Sequence, residues 1–498
     1  MNRALRRISI AILAMFLLLL ININYLQGFE PASLAAKPGN SRAFYAAQNQ
    51  YERGSIVTSD GVTIAASRLS SNPNDVIKYQ RYYPAGPEYA PVTGYDTLYS
   101  QSGIEAAENS LLSGNDSALD VRKIIDLITG KTTSGATVTV TVNSKAQAAA
   151  YSALAALGKP GGVVAIDPKT GAILALASYP SYDPNVLATH DGIQLNQVDK
   201  ALLADPGQPL LNRPLDATFP PGSTFKIVTS SAYLAQNPGA SPQTEVDSPT
   251  VLPLPQTTHV LENNLGEICG TGSGQAPLIT AFAQSCDTTF GKIGMTLTGP
   301  TLGSMAGKFG MNDPNLTIPL PVAQSNYVIP PSKALTAFSA IGQYDDTVTP
   351  LQEAMFAAAV ANGGVLMRPY LVQQVTASDL STVQTTTPAV LSQAVSPSVA
   401  SDMAQMMLAV VQDPQGTAYS FNSTVEGVTI AGKTGTAETG QNTGLDDAAF
   451  TCYAPAGPGD NPSIAVGVII QGGGYGATAA APIAVQVIKA YLAYLGTK

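Results

Sequence analysis

The chain has 498 residues, enough for two to four domains. Charged residues make up only 12 % and hydrophobic residues 45 %, which excludes a disordered acidic chain and provides for a sizeable core. A net charge of −9 argues against nucleic-acid binding, and with two histidines (His190, His259) and three cysteines lacking C-x-x-C spacing, no zinc site or histidine triad is expected, so chemistry falls to Ser, Thr, Lys and carboxylates.

Arg3, Arg6 and Arg7 precede an apolar run from Ile8 to Leu26. That run is close to the ~20 residues a helix needs to cross hydrocarbon and longer than a signal-peptide core. It predicts a cytoplasmic tail over 1–7 and a single-pass anchor over 8–26, with the rest of the chain outside the cell membrane. Ser33-Leu34-Ala35 supplies a small-x-small pattern, so a cleaved signal is the competing reading. Export permits disulfides, and Cys269 with Cys286 is either a pair or two buried thiols; Cys452 reads as a core residue of an apolar strand.

A polar linker over 27–40 leads into a mixed region up to Val142, with short Gly-punctuated strands, helical stretches at Ile104–Leu112 and Leu119–Leu127, and a Thr/Val strand at Ala136–Val142. Ser144–Leu157 is Ala-rich and helical. Val163–Ile166 and Ile173–Ala177 read as strands joined by a turn at Asp167–Gly171. Helical periodicity follows Gly222 and returns at Gln352–Ala361, while 238–258 and 375–390 read as Pro- and Thr-rich loops. Three strands (Val428–Ala437, Ala448–Tyr453, Ile464–Gln471) and a helix over Pro482–Leu495 close the chain. The fold class is α+β, an antiparallel sheet flanked by helices, with domains over 27–160 and 161–498.

Three segments carry chemistry. In Pro220-Pro-Gly-Ser-Thr-Phe-Lys226, Pro and Gly mark a helix start, so Ser223 and Lys226 share one face of its first turn. A desolvated lysine can deprotonate the serine, and the helix terminus offers N–H groups to an oxyanion. Ser285-Cys-Asp287 falls in an expected helix over Pro277–Phe290. Lys433-Thr-Gly-Thr436 is expected at a strand edge, where lysine and hydroxyls clamp a carboxylate and Gly435 admits a substrate backbone. The same three letters at Lys169-Thr170-Gly171 are assigned to turn geometry alone.

The order Ser-x-x-Lys, Ser-x-Asp, Lys-Thr-Gly resembles the S-x-x-K, S-x-N and K-T-G signature of penicillin-binding proteins and serine β-lactamases. Gly162–Ser178, Ser181-Tyr-Asp-Pro-Asn185, Ala340-Ile-Gly-Gln343, Thr349-Pro-Leu-Gln352 and Ala361-Asn-Gly-Gly364 resemble the transpeptidase domain of class B penicillin-binding proteins. Asn40-Ser-Arg, Arg53-Gly-Ser-Ile, Tyr83-Pro-Ala-Gly and Leu112-Ser-Gly-Asn-Asp116 resemble the pedestal, a dimerisation-type domain, of the actinobacterial penicillin-binding protein A family.

The resemblance implies a D,D-transpeptidase that cross-links peptidoglycan stem peptides ending in D-Ala-D-Ala and is trapped by β-lactams. Ser223 would be the nucleophile, Lys226 its base and Ser285 a proton relay. Lys433 would keep the site positive, Thr434, Gly435 and Thr436 would hold the substrate, and the N–H groups of Ser223 and Thr436 would form the oxyanion hole. Neither metal nor organic cofactor is implied; cell-wall synthesis and division proteins are the implied partners. Asp287 stands where the family has Asn and cannot donate as an amide does, so it either pairs with Lys226 or weakens the grip on substrate. Tyr344 replaces the Gly that usually follows Ile-Gly-Gln, and Ala448-Ala-Phe450 stands for Ala-Trp-Phe. The rival readings are a catalytically impaired scaffold, a serine β-lactamase, which would lack the anchor and extra domain, and a bifunctional enzyme, for which 27–160 is too short.

Overall fold

The amino-terminal apolar run is one helix, α1, from Asn2 to Phe29. Its described side chains from Ser9 to Tyr25 are all exposed: Leu13 is 74 % and Phe16 68 % exposed, and Asn24 returns its amide to the Leu20 carbonyl at 2.8 Å. An apolar helix exposed in this way suits hydrocarbon and not water. The computed structural model describes residues 2–29, 51–71, 77–119, 134–421, 428–438, 446–457 and 459–496. The linker beyond residue 29, Ser33–Ala35, Asn40-Ser-Arg and most of Leu119–Leu127 lie outside the described residues.

The following strands are β1 (Ile56–Val57), β2 (Thr63–Leu69), β3 (Tyr79–Tyr82) and β4 (Thr137–Val140), then helix α2 (Ser144–Leu157) and strands β5 (Gly161–Ile166) and β6 (Ile173–Tyr179). Helices α3 (Lys226–Gln236), α4 (Leu278–Ala283), α5 (Asp287–Leu297) and α6 (Pro350–Ala361) come next. After β7 (Val372–Thr376), β8 (Thr382–Thr385) and α7 (Pro397–Gln412), the chain ends with β9 (Ala431–Ala437), β10 (Asp447–Ala454), β11 (Ile464–Ile470) and α8 (Ala481–Gly496).

Two sheets organise these elements. One has the order β8-β7-β4-β1-β2-β3 and the other β9-β10-β11-β5-β6. The first sheet draws β7 and β8 from the second half of the chain, with Val375 opposite Val138, so a cut after residue 160 divides the sequence but not this sheet. The stretch 375–390, read as a loop, is therefore partly strand, and 238–258 likewise contains short strands at Glu245–Asp247 and Val251–Pro253. These segments alternate over too few residues to announce themselves.

The second sheet is antiparallel throughout, and every residue of β10 and β11 is buried, so helices cover both faces. On its outer edge α2 bonds to β6: the Gln147 amide donates to the Leu176 carbonyl at 2.9 Å and its oxygen accepts from Leu176 N at 2.8 Å. Helix α8 continues an apolar run, Gly476–Gly496, long enough to cross a membrane, but it packs on α2 and β11 and is a core helix. At the opposite edge, β9 has β10 as its one strand partner among the described residues. That free edge carries the Lys-Thr-Gly segment.

Candidate active site

Pro220 and Pro221 bring the chain into a single 3₁₀ turn, Gly222–Phe225, that runs straight into α3. Ser223 sits in this first turn, half-buried, and its hydroxyl makes no hydrogen bond among the described residues. The turn is gripped on two sides. Gly222 N donates to the Gly342 carbonyl at 2.9 Å, and both glycines have positive φ (+55° and +76°). A Cβ on Gly342 would come within 2.0 Å of the Gly222 oxygen, and one on Gly222 within 2.5 Å of the Thr436 oxygen. Only glycine allows the Ala340–Gln343 turn and the β9 backbone to approach the serine this closely.

Ser285 is not inside a helix. The expected helix over Pro277–Phe290 is broken: α4 stops at Ala283 and α5 starts at Asp287. Cys286 N bonds to the Ala281 carbonyl at 2.9 Å and Ser285 N to the Phe282 carbonyl at 3.1 Å, the two bonds of a Schellman stop with Ser285 at its left-handed position, φ +62°. Glycine usually occupies that position, and its absence here hid the helix end from sequence reading. The kink turns both the carbonyl and the hydroxyl of Ser285 toward the lysines. Lys226 Nζ donates to Ser285 O at 2.7 Å and to Ser285 Oγ at 3.2 Å. Lys433 Nζ donates to the same Oγ at 2.9 Å and to Thr434 O at 3.1 Å.

Both ammonium groups are fully buried, over the rings of Phe290 (5.5 Å) and Phe282 (5.6 Å) respectively. Asp287, in the first turn of α5, accepts from Lys226 at 2.6 Å. Burial lowers the Lys226 pKa while Asp287 opposes the change. Lys433 is bonded to no carboxylate among the described residues; burial, and secondly the neighbouring Lys226 charge, hold it well below the ordinary lysine value against the opposing charge of Asp287. At rest the ion pair therefore favours the proton on Lys226 over Lys433.

Thr434, Gly435 and Thr436 lie on the edge strand opposite Phe450, Ala449 and Ala448. The Thr434 hydroxyl meets that of Thr417 at 2.7 Å. The structure thus gathers Lys226, Ser285, Asp287 and Lys433 into one bonded cluster and packs the backbone of Gly222, next to Ser223, against that of Thr436. Lys169-Thr170-Gly171 stays apart in the β5–β6 turn, where Thr170 Oγ1 donates to Asp167 at 2.8 Å. Cys269 and Cys286 form a disulfide, which fastens the residue between Ser285 and Asp287. Cys452 is a buried free thiol of β10.

Sequence reading missed Thr224 and Glu353. Both are fully buried behind the Ser223 turn and bonded to one another at 2.7 Å. The signal available was a single charged residue in α6, whose other residues are nearly all apolar.

Residues 161–489 match the penicillin-binding protein transpeptidase domain, and residues 53–138 match the penicillin-binding protein A dimerisation domain. The chain is 41 % identical to the peptidoglycan D,D-transpeptidase PbpA of Mycolicibacterium smegmatis and 38 % identical to that of Mycobacterium tuberculosis, with 99 % of each chain covered in both comparisons. The ceftriaxone acyl-enzyme of M. tuberculosis penicillin-binding protein A superposes with a TM-score of 0.84 at 37 % identity, covering 90 % of this chain and 100 % of that one. Its penicillin G acyl-enzyme superposes with a TM-score of 0.82 at 38 % identity, covering 89 % and 100 %.

Proposed function

The chain belongs to the penicillin-binding protein transpeptidase family and is a peptidoglycan D,D-transpeptidase acylated by β-lactams, and we propose that Ser223 carries its acyl group. Ser223 Oγ attacks the carbonyl of the penultimate D-Ala of a stem peptide as its proton passes to Lys226. The oxyanion lies between the N–H groups of Ser223 and Thr436. Collapse breaks the peptide bond, and the departing D-Ala amine takes a proton through Ser285. An amine of a neighbouring stem then attacks the ester, loses its proton to the same relay, and leaves a cross-link with Ser223 restored. β-Lactams open on the same serine, but their leaving amine stays tethered and blocks the acceptor.

Lys226 must be neutral to act as a base, whereas the resting ion pair favours its protonated form. The substrate supplies the remedy. Its terminal carboxylate, held by Thr434 and Thr436 on the Gly435 edge, draws the shared proton toward Lys433 by way of the bridging Ser285 hydroxyl. The observation that carries this reading is that one hydroxyl lies 3.2 Å and 2.9 Å from the two buried lysine nitrogens.

The chain is membrane-anchored. In our proposal Arg3, Arg6 and Arg7 keep residues 1–7 cytoplasmic and α1 crosses once over 8–26. Residues 27–160, completed by β7 and β8, form the pedestal, and 161–498 form the transpeptidase domain facing the cell wall. Partners belong to the cell-wall synthesis and division machinery that works at this membrane face. The direct test is intact mass after penicillin treatment with the modified peptide mapped. One adduct on Ser223, absent from Ser223→Ala, is expected; an adduct in that variant overturns the assignment.

A further inference from the structure

Behind the nucleophile turn lies a titratable group the reaction does not use. Glu353 is the only charged residue of α6 and is fully buried. Its Oε1 lies 2.7 Å from Thr224 Oγ1, which lies 2.8 Å from the Pro221 carbonyl oxygen. A threonine hydroxyl has one proton, and a carbonyl oxygen only accepts. If Glu353 were ionised, one of these two short oxygen–oxygen contacts would have no proton in it. Glu353 Oε2 has no hydrogen-bond partner among the described residues either, so ionisation would also leave a buried charge unpaired. Both problems vanish if Glu353 donates to Thr224 and Thr224 donates to Pro221.

No cation is bonded to Glu353 among the described residues, and the Arg213 guanidinium is engaged by the Gly207 and Gln208 carbonyls. On the elements packed against α6, the titratable groups are Asp447, Cys452 and Tyr453 of β10, Asp402 of α7, and Arg213 and Asp216 of the short helix Arg213–Asp216. Burial, opposed only by the Thr224 hydrogen bond, pushes the Glu353 carboxyl up to about 8. The place of Thr224 gives this bond its reach. A Cβ on Gly435 would lie 2.9 Å from both Thr224 Cγ2 and Pro221 O, so Thr224 is wedged between the Lys-Thr-Gly strand and α6.

We propose that Glu353 is held as a neutral carboxylic acid whose O–H, acting through Thr224, fixes the Pro221–Ser223 turn, making it a positioning residue for the nucleophile and for the Ser223 N–H of the oxyanion hole. This rests on Ser223 as the acylated residue. Ionisation at alkaline pH reverses the Thr224 hydroxyl and frees the turn.

The test is the rate constant of penicillin acylation between about pH 6 and about pH 10, with circular dichroism as a check of folding. The wild-type rate falls as pH rises past about 8. Glu353→Gln, whose amide donates to Thr224 but does not titrate, stays within about threefold of wild type at neutral pH and lacks this fall, whereas Thr224→Val is slowed about tenfold and Thr224→Ser is not. An alkaline fall that persists in Glu353→Gln belongs to a lysine and overturns the proposal; so does a Thr224→Val enzyme with the wild-type rate and profile. A second readout needs no turnover. The infrared difference between wild type and Glu353→Gln at neutral pH shows a protonated carboxylic acid band, and a carboxylate band in its place overturns the proposal. Labelling of Ser223→Ala would instead strike the nucleophile assignment on which the proposal stands.

Discussion

Asp287 and Lys226 form an ion pair that the family's usual asparagine would not make. The carboxylate raises the Lys226 pKa against the lowering by burial, so it works against the base form that the proposed mechanism asks of Lys226. Asp287→Asn should move the acid limb of the acylation profile to lower pH, measured as rate against pH. A shift the other way, or a loss beyond about a hundredfold (about 2.7 kcal/mol), would mean that the carboxylate has a task of its own. Tyr344 shows the opposite case, where the unusual residue is a backbone misfit. Its φ is +72°, in the left-handed region, where glycine is at ease and a tyrosine is strained. Tyr344→Gly should leave stability unchanged or raise it by up to about 1 kcal/mol in urea unfolding. A loss of that size would show that the ring makes contacts worth more than the strain.

Among the elements, the break between α4 and α5 matters most to the site. It turns Ser285 into the lysine pair, and it is held from outside by the Cys269–Cys286 bond, which spans 17 residues. A loop of that length should contribute about 3 kcal/mol through the unfolded chain. Reduction, or Cys269→Ser with Cys286→Ser, should lower the unfolding free energy by roughly that amount. It should also slow acylation at temperatures where the enzyme remains folded, because Ser285 and Asp287 flank the fastened cysteine. Acylation equal in both redox forms would show that the Schellman stop holds Ser285 unaided. The edge position of β9 among the described residues and the Gly222–Gly342 contact are the other element-level devices: in the proposed mechanism one leaves room for a substrate strand, and the other holds the Ser223 turn close to it.

On the scale of the molecule, buried acids tie stability to pH. Asp346 accepts hydrogen bonds from Ser339 Oγ at 2.7 Å and Val328 N at 3.3 Å, and burial pushes its carboxyl up to about 8. A folded value above the unfolded one means that its contribution is complete below about pH 4 and drains away as pH climbs toward about 8. Asp346→Asn should therefore gain on wild type in unfolding free energy between about pH 5 and about pH 8. A difference that stays constant with pH would show the group to be ionised throughout. The anchor and the catalytic body are separable by the same physics, since the described side chains of α1 are all exposed. A chain lacking residues 1–29 should leave the membrane fraction and take up penicillin at the full-length rate; slower labelling would mean that α1 also supports the site.

Much of this was readable before any coordinates. The chemistry had to come from serine and lysine, because the chain offers little else, and the order of three short motifs named the reaction class. Periodicity placed α2, α6 and the strands β5, β6, β9, β10 and β11, because long or uniformly apolar segments have one way to bury themselves. The three-dimensional packing decided the rest. The break at Ser285 was invisible because a serine occupies a position glycine normally marks, and the ordering force is the disulfide and two long-range lysine contacts. Strands β7 and β8 are too short to signal themselves and gain their partners from a sheet begun far earlier in the chain. Glu353 looked like one polar residue in an apolar helix, and only the closeness of Thr224 and Pro221 gives its proton a destination. Local pattern carries what neighbours in sequence enforce; protonation, strain and proton routing depend on groups that meet only after folding, when water has been removed from between them.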